Sequence, residues 1–231
     1  MKFVELTLAT TELAAQRNFY TSHLSLPLLA ETEQSFTVLV GQSKLTFQAT
    51  TQPDVNYHFA FNIPSNQFAQ AKQWLQERVT LLKEGDKDEF NSSFWPGHQI
   101  YFRDAANNIL ELIAPEELPS EAEGLFGSQS LLNISEIGLP VPNVLESAAF
   151  LEDHFVHNRF HGRGSATFAP VGDLISRCIV VKIGHHWLPT NTAAVVAPVH
   201  AILQGNIQQR FRVADLPYSF EISPASQAGP D

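Results

Sequence analysis

Several short segments carry side chains able to do acid–base or metal chemistry, and Glu5 poses the sharpest question. In FVELTLAT a strand alternation puts Phe3, Glu5, Thr7 and Ala9 on one face and Val4, Leu6, Leu8 and Thr10 on the other. The even-numbered face is apolar enough to join a core. A carboxylate in the middle of the other face is either solvated or aimed into a polar cavity. His58 raises the same question from YHFAFN: a packed, hydrogen-bonded ring among aromatics, or a ligand. His98, in WPGHQ, is an ordinary loop histidine or a general acid–base. In GHHWLPT, His185 and His186 are adjacent on an extended segment, so they point to opposite faces and do not readily chelate one ion together. Arg159 and Arg163, in VHNRFHGRG, would suit an anionic group if the segment is more than a solvated turn. Cys178 is the sole cysteine. Its apolar setting, ISRCIVVKI, makes it a buried small hydrophobe rather than a nucleophile.

The chain of 231 residues has room for one large domain or two ordinary ones. Hydrophobic content of 44% with 16% charged residues fits a folded globular protein. A net charge of −10 disfavours nucleic acid and anionic membrane surfaces as main partners. No apolar run is long enough for a membrane-spanning helix. The N-terminus reads as a strand with Glu5 inside it, not as a signal peptide, so a cytoplasmic location is expected.

Alternating segments predict strands near 2–9, 35–40, 44–49, 56–62, 98–103 and 108–113. Helical periodicity places Leu13, Gln16 and Tyr20 on successive turns of 12–24, and Phe68, Ala71, Trp74 and Leu75 on one face of 65–79. Residues 116–130, acidic and containing Pro, Gly and Ser, have no period and form the expected linker. It separates a first domain, 1–115, from a second, 131–231. After the linker the opening phrase returns as ISEIGLPVPNVLESAAFLEDHF, with Glu136 fourteen residues before Phe150 as Glu5 is fourteen before Phe19. Asn143 and Glu146 predict a capping-box-like helix start there. Weaker copies begin at YHFAFN and PVHAILQG, with His58 and His200 in the glutamate's place. The plan is a βαβββ unit used three times, plus a truncated fourth.

The phrase ELTLATTELAAQRNFYTSHLSLPLL resembles the opening of the vicinal-oxygen-chelate superfamily, which includes glyoxalase I, bleomycin- and fosfomycin-resistance proteins and extradiol dioxygenases. IYFRDAANNILELIAP resembles that family's closing strand pair. Ser25 and Asn107 stand where the family has glycine, and Asn tolerates the left-handed conformation such a turn needs. The resemblance is good over 1–115 and weaker over 131–231. It implies an α+β fold in which paired βαβββ modules form a cupped mixed sheet, with a second partial copy.

Carried over residue by residue, the resemblance implies metal ligands at Glu5, His58 and Glu111, with Glu5, Glu111 and His98 as candidate catalytic groups. One imidazole and two carboxylates suit Zn²⁺, Mn²⁺, Fe²⁺, Ni²⁺ or Co²⁺ and leave coordination positions for water and substrate. Trp95, His98, Tyr101, Arg103 and Gln48 are the expected lining of the cup. A second site from Glu136, His200 and Glu221 is disfavoured by the truncated last module. The implied function is metal-dependent chemistry on a small molecule with adjacent oxygen atoms, the ion stabilising an enediolate- or oxyanion-like intermediate. The alternative is a metal-free binding cup of the resistance type. A tandem copy can cover the exposed sheet internally, so a monomer is expected, with a homodimer as the alternative.

Overall fold

In the computed structural model, which describes residues 1–91, 96–155, 164–213 and 215–224, the repeated unit is visible four times. The first copy is β1 (Lys2–Thr10), α1 (Leu13–Asn18), β2 (Leu28–Glu31), β3 (Ser35–Val40) and β4 (Ser43–Ala49). The second is β5 (His58–Asn62), α2 (Phe68–Gln76), β6 (Phe90–Asn91), β7 (Gly97–Arg103) and β8 (Ile109–Pro115). The third is β9 (Asn133–Val141), α3 (Val144–Phe155), β10 (Phe168–Gly172) and β11 (Arg177–Lys182), followed by a small hairpin of β12 (His186–Trp187) and β13 (Thr192–Ala193). The fourth has no helix: β14 (Val199–Gly205), β15 (Gln209–Arg212) and β16 (Tyr218–Pro224).

Local choices follow the sequence. Glu146 donates its backbone N–H to Asn143 Oδ1 at 3.3 Å, and the Asn143 amide donates to the Glu146 carboxylate at 2.9 Å, which starts α3. Ser25 and Asn107 adopt φ of 56° and 62°, the left-handed geometry that glycine adopts most readily. No helix among the described residues is long and apolar enough to cross a membrane.

The modules pair differently from the sequence expectation. The expectation joins the first module to the second. Instead β1 runs antiparallel to β14, and β5 antiparallel to β9. One seven-stranded sheet therefore has the order β15-β16-β14-β1-β4-β3-β2, and the other β10-β11-β9-β5-β8-β7-β6. Both sheets draw strands from either side of the 116–130 segment. The physical reason lies in burial. All residues of β5 and β9 are buried, whereas β1 and β14 bury no more than alternate positions. Two strands covered on both faces lie together at the centre of one sheet, and two half-open strands at the centre of the other.

The sheets share a core that includes Phe3, Leu6, Leu8, Phe36 and Phe47 from one and Phe59, Phe61, Leu110, Leu112, Ile137 and Leu139 from the other. A register shift in β1 between Phe3 and Glu5 turns Phe3 to the side of Leu6 and Leu8, so Phe3 is fully buried while Glu5 is half-exposed. Asp104 locks α1 to the β7–β8 turn. Its buried carboxylate accepts from Gln16 Nε2 (2.7 Å), the Tyr20 hydroxyl (2.9 Å), Asn108 Nδ2 (2.8 Å) and the backbone N–H groups of Ala106 and Asn108.

Candidate metal centre

The site lies on the face of the second sheet turned away from the shared core. Strand alternation puts Phe59 and Phe61 into that core and leaves His58 and Ala60 on the other side. The same rule sends Leu110 and Leu112 inward and Glu111 outward, and Ile137 and Leu139 inward and Glu136 outward. Glu111 is in register with Ala60 on one side of β5, and Glu136 with Ala60 on the other. His58 is two residues away on the same face. Three neighbouring strands thus aim an imidazole and two carboxylates at one point. One ligand atom from each lies within 4.8 Å of the others.

His58 Nδ1 is 3.2 Å from the carbonyl oxygen of Ile109, which makes that nitrogen the N–H donor. Its Nε2 then faces Glu111 Oε2 at 3.6 Å and Glu136 Oε2 at 3.9 Å. When neutral, the imidazole presents a lone pair there, and the three electron-rich atoms then require a cation between them; with a proton on Nε2 the ring is itself the cation facing the two carboxylates. The spacing is close to the ~3.4 Å between ligand atoms of a tetrahedral ion with ~2.1 Å bonds. Glu111 Oε1 is buried without a hydrogen-bond partner. The donor set, the backbone-held imidazole and the orphaned carboxylate oxygen all fit a divalent cation.

The two carboxylates are not electrostatically equivalent. Burial and the charge of Glu136 push the Glu111 carboxyl well above the usual range, more than the Tyr101 hydroxyl and Arg177 draw it back. Burial also acts to raise Glu136, but Arg177 and His58 overcome it and hold this group low. Arg177 Nε donates to Glu136 Oε1 at 2.7 Å, and its Nη2 lies 2.6 Å from the same oxygen. Glu136 Oε2 is left facing His58.

Around this centre is a cavity of about 480 Å³, with Phe90, Tyr101, Phe168, Ile179, Trp187 and Leu188 in its walls and Asn91, Gln99, His185 and His186 as further polar groups. The β12–β13 hairpin supplies the roof. Trp187 lies on His58 with ring centroids 4.8 Å apart. It rests on Gly138, where a Cβ atom would approach the indole to 2.6 Å, so this close seat requires glycine. Arg103 Nη2 donates to Thr192 Oγ1 at 2.7 Å and ties the hairpin to the end of β7. His185 meets Trp187 edge-on at 5.6 Å. Burial, then the nearby His58 and His186, hold its imidazole below the usual value.

The structure brings His58 and Glu111 together as expected but separates Glu5 from them. Glu5 is in the other sheet, in register with Lys44 and Ile202, because its module pairs with the fourth and not the second. Glu136, the counterpart of Glu5 in the repeat, takes the expected place. Tyr101 lines the cavity and stands opposite Glu111 across the β7–β8 ladder. His98 does not: it is exposed on the opposite face of β7, stacked on Phe68 at 4.9 Å, since its parity differs from that of Gln99 and Tyr101. Arg103 anchors the hairpin rather than lining the cavity. Gln48 is exposed in the first sheet, in register with Ala9 and Ser35. Trp95 lies outside the described residues, as do Arg159 and Arg163. His200 and Glu221 are in the first sheet, where His200 contacts Ser219 Oγ at 2.9 Å and Glu221 binds Arg210.

Arg177, Trp187 and the partnership of Glu136 with His58 are absent from the sequence reading. The signal for Glu136 is that both faces of β5 and β9 are covered. Arg177 is a cation near the start of an apolar run, RCIVV, where only a buried partner makes it tolerable, unlike Lys182 at the exposed end of the same strand.

No family model and no curated protein matches the sequence. Solved structures do match in fold. A putative dioxygenase from Bacillus subtilis subsp. subtilis str. 168 superposes with a TM-score of 0.64 at 14% identity, over 96% of this chain and 84% of that one. The V278E mutant of glyoxalase I from Zea mays superposes with a TM-score of 0.56 at 11% identity, over 96% of this chain and 92% of that one. The chain thus shares the fold of these two structures over 96% of its length.

Proposed function

We infer that this chain is a metal-dependent enzyme acting on a small molecule with adjacent oxygen atoms. The observation that carries this reading is the buried convergence of His58 Nε2 with one oxygen each of Glu111 and Glu136 at the wall of a cavity. His58, Glu111 and Glu136 would hold the ion, with Ile179 among the residues lining the cavity around them. When bound, the ion would supply Lewis acidity, gathering two neighbouring substrate oxygens and stabilising negative charge developed on them.

The chain's own groups divide the remaining work. Glu136, fixed by Arg177, is suited to be the constant ligand. Glu111, whose Oε1 has no hydrogen-bond partner, would offer that oxygen to accept and return a proton at a substrate carbon or hydroxyl. The Tyr101 hydroxyl faces Glu111 and would orient it. Phe90, Phe168, Trp187 and Leu188 would contain the body of the substrate and exclude water. No lysine or arginine is among the described lining residues, which favours a substrate whose body is apolar and uncharged.

A second reading is a metal-free binding cup, and one observation favours it: Arg177 already compensates Glu136, and a protonated Glu111 would leave the cluster near neutrality without an ion. Metal analysis and isothermal titration of the wild type, His58→Ala and Glu136→Gln with Mn²⁺ and Zn²⁺ separate the two. The enzyme reading expects about one ion per wild-type chain and none retained by the variants. A folded wild type that takes up no ion supports the binding cup instead.

A further inference from the structure

Arg177 is a fully buried guanidinium inside a cluster that would attract cations, at 1% exposure. It spans Glu136 Oε1, through Nε at 2.7 Å and Nη2 at 2.6 Å, and the carbonyl of Asp173, through Nη1 at 3.3 Å. The strand register shows what it replaces. His58 on β5 faces Ile109 on β8, and Glu136, its counterpart on β9, faces Arg177 on β11. Arg177 is therefore the counterpart of Ile109, and Ile179 that of Glu111. One half of the cup carries an aliphatic residue and a carboxylate. The other carries a cation and an aliphatic residue.

Simple charge counting gives the consequence. Glu111 and Glu136 together would carry two negative charges, which a dication cancels. With Arg177 counted, the two carboxylates and the guanidinium carry a single negative charge without the ion, which a proton on Glu111 cancels, and a single positive charge with the ion bound to both carboxylates. A guanidinium bonded to a ligand's other oxygen stands within a few ångströms of the ion, in a setting with little water to screen the repulsion.

We propose that Arg177 is the internal counter-ion of the metal centre: it neutralises Glu136 when no ion is present, and it keeps a bound ion exchangeable by adding positive charge to the loaded site. The inference rests on the reading of His58, Glu111 and Glu136 as ligands. Arg177 acts through Glu136 and is a positioning residue. A neutral side chain at 177 removes the compensation from the empty site and the repulsion from the loaded one. The empty protein becomes less stable and the ion binds more tightly. A purely structural defect lowers stability with and without the ion alike.

The test uses chelator-stripped wild type, Arg177→Gln and Arg177→Lys, with Mn²⁺ as the probe, read by isothermal titration and by thermal melting with and without the ion. Arg177→Gln is expected to bind Mn²⁺ at least about tenfold more tightly than the wild type, to melt lower when stripped and to gain more on adding the ion. Arg177→Lys, which keeps the charge, is expected to stay within about threefold of the wild type. Equal or weaker Mn²⁺ binding by folded Arg177→Gln overturns the proposal. If stripped Arg177→Gln does not fold, circular dichroism during Mn²⁺ addition decides. Folding on addition supports the proposal, and failure to fold at saturating ion while Arg177→Lys folds overturns it. If the wild type binds neither Mn²⁺ nor Zn²⁺, the metal reading itself fails, and the proposal falls with it by a separately visible result.

Discussion

Glu111→Gln isolates the energetic asymmetry of the two carboxylates. The substitution keeps size and shape and removes the charge. Glu111 is 2% exposed, and burial and the neighbouring Glu136 charge give its folded-state carboxyl a raised proton affinity. A carboxyl that binds its proton more strongly in the folded state stabilises the fold fully below its unfolded titration point, near 4.3. That contribution is lost as pH rises through the higher, folded-state titration point. Glutamine loses nothing over that window. Without ions, the melting temperature of Glu111→Gln minus that of the wild type should therefore grow between acidic and alkaline pH. Each tenfold preference of the folded state for the proton corresponds to about 1.4 kcal/mol. In a chain of this size that is roughly 3–6 °C in melting temperature. Saturating Mn²⁺ should reverse the order at pH 8, because only the wild type has the full ligand set. Differential scanning fluorimetry in chelator from pH 4 to 9, repeated with Mn²⁺, reads both effects. A pH-independent offset, or a stripped variant less stable than the wild type at pH 8, would refute the reasoning.

Other expectations follow from specific contacts. Asp104→Ala strands the donors of Gln16, Tyr20, Asn108 and two backbone amides, and urea denaturation should show a loss of about 3 kcal/mol or more. Gly138→Ala should displace Trp187 from His58, visible as a changed tryptophan emission and a weaker Mn²⁺ affinity, with Trp187→Phe as the reference that separates the ring from its seat. Glu5→Gln and His98→Ala are expected to leave Mn²⁺ affinity within about twofold of the wild type in titration calorimetry, since Glu5 is in the other sheet and His98 on the face of β7 turned away from the cavity.

Much of the module was legible because its signals are local. The α3 start needs only Asn143 and Glu146, and the left-handed turns need only residues that tolerate positive φ, as Ser25 and Asn107 do. His58 and Glu111 were legible as partners through the family resemblance, and they meet because a parallel strand pair within one module fixes their register. Glu136 required knowledge of which modules pair. The fourteen-residue spacing identifies it as the equivalent of Glu5, but a repeat states equivalence and not adjacency. The difference lies in burial that no short window contains: β5 and β9 are covered on both faces, and the β12–β13 hairpin that supplies part of the cover comes from beyond β11. Arg177 and Trp187 were hidden for a related reason. Each stands next to a more conspicuous reactive residue, Cys178 in one segment and two histidines in the other. Their roles depend on contacts with β9 at Glu136 and Gly138, about forty to fifty residues earlier.

Anomalous scattering from a crystal grown or soaked with Mn²⁺ tests the central claim most directly. The account predicts one strong peak in the second sheet's cup, within about 2.0–2.2 Å of His58 Nε2 and of one oxygen from each of Glu111 and Glu136, with Arg177 still bonded to Glu136. Saturating Mn²⁺ that leaves the cup without a peak, or a sole peak beside Glu5 in the first sheet, would contradict it.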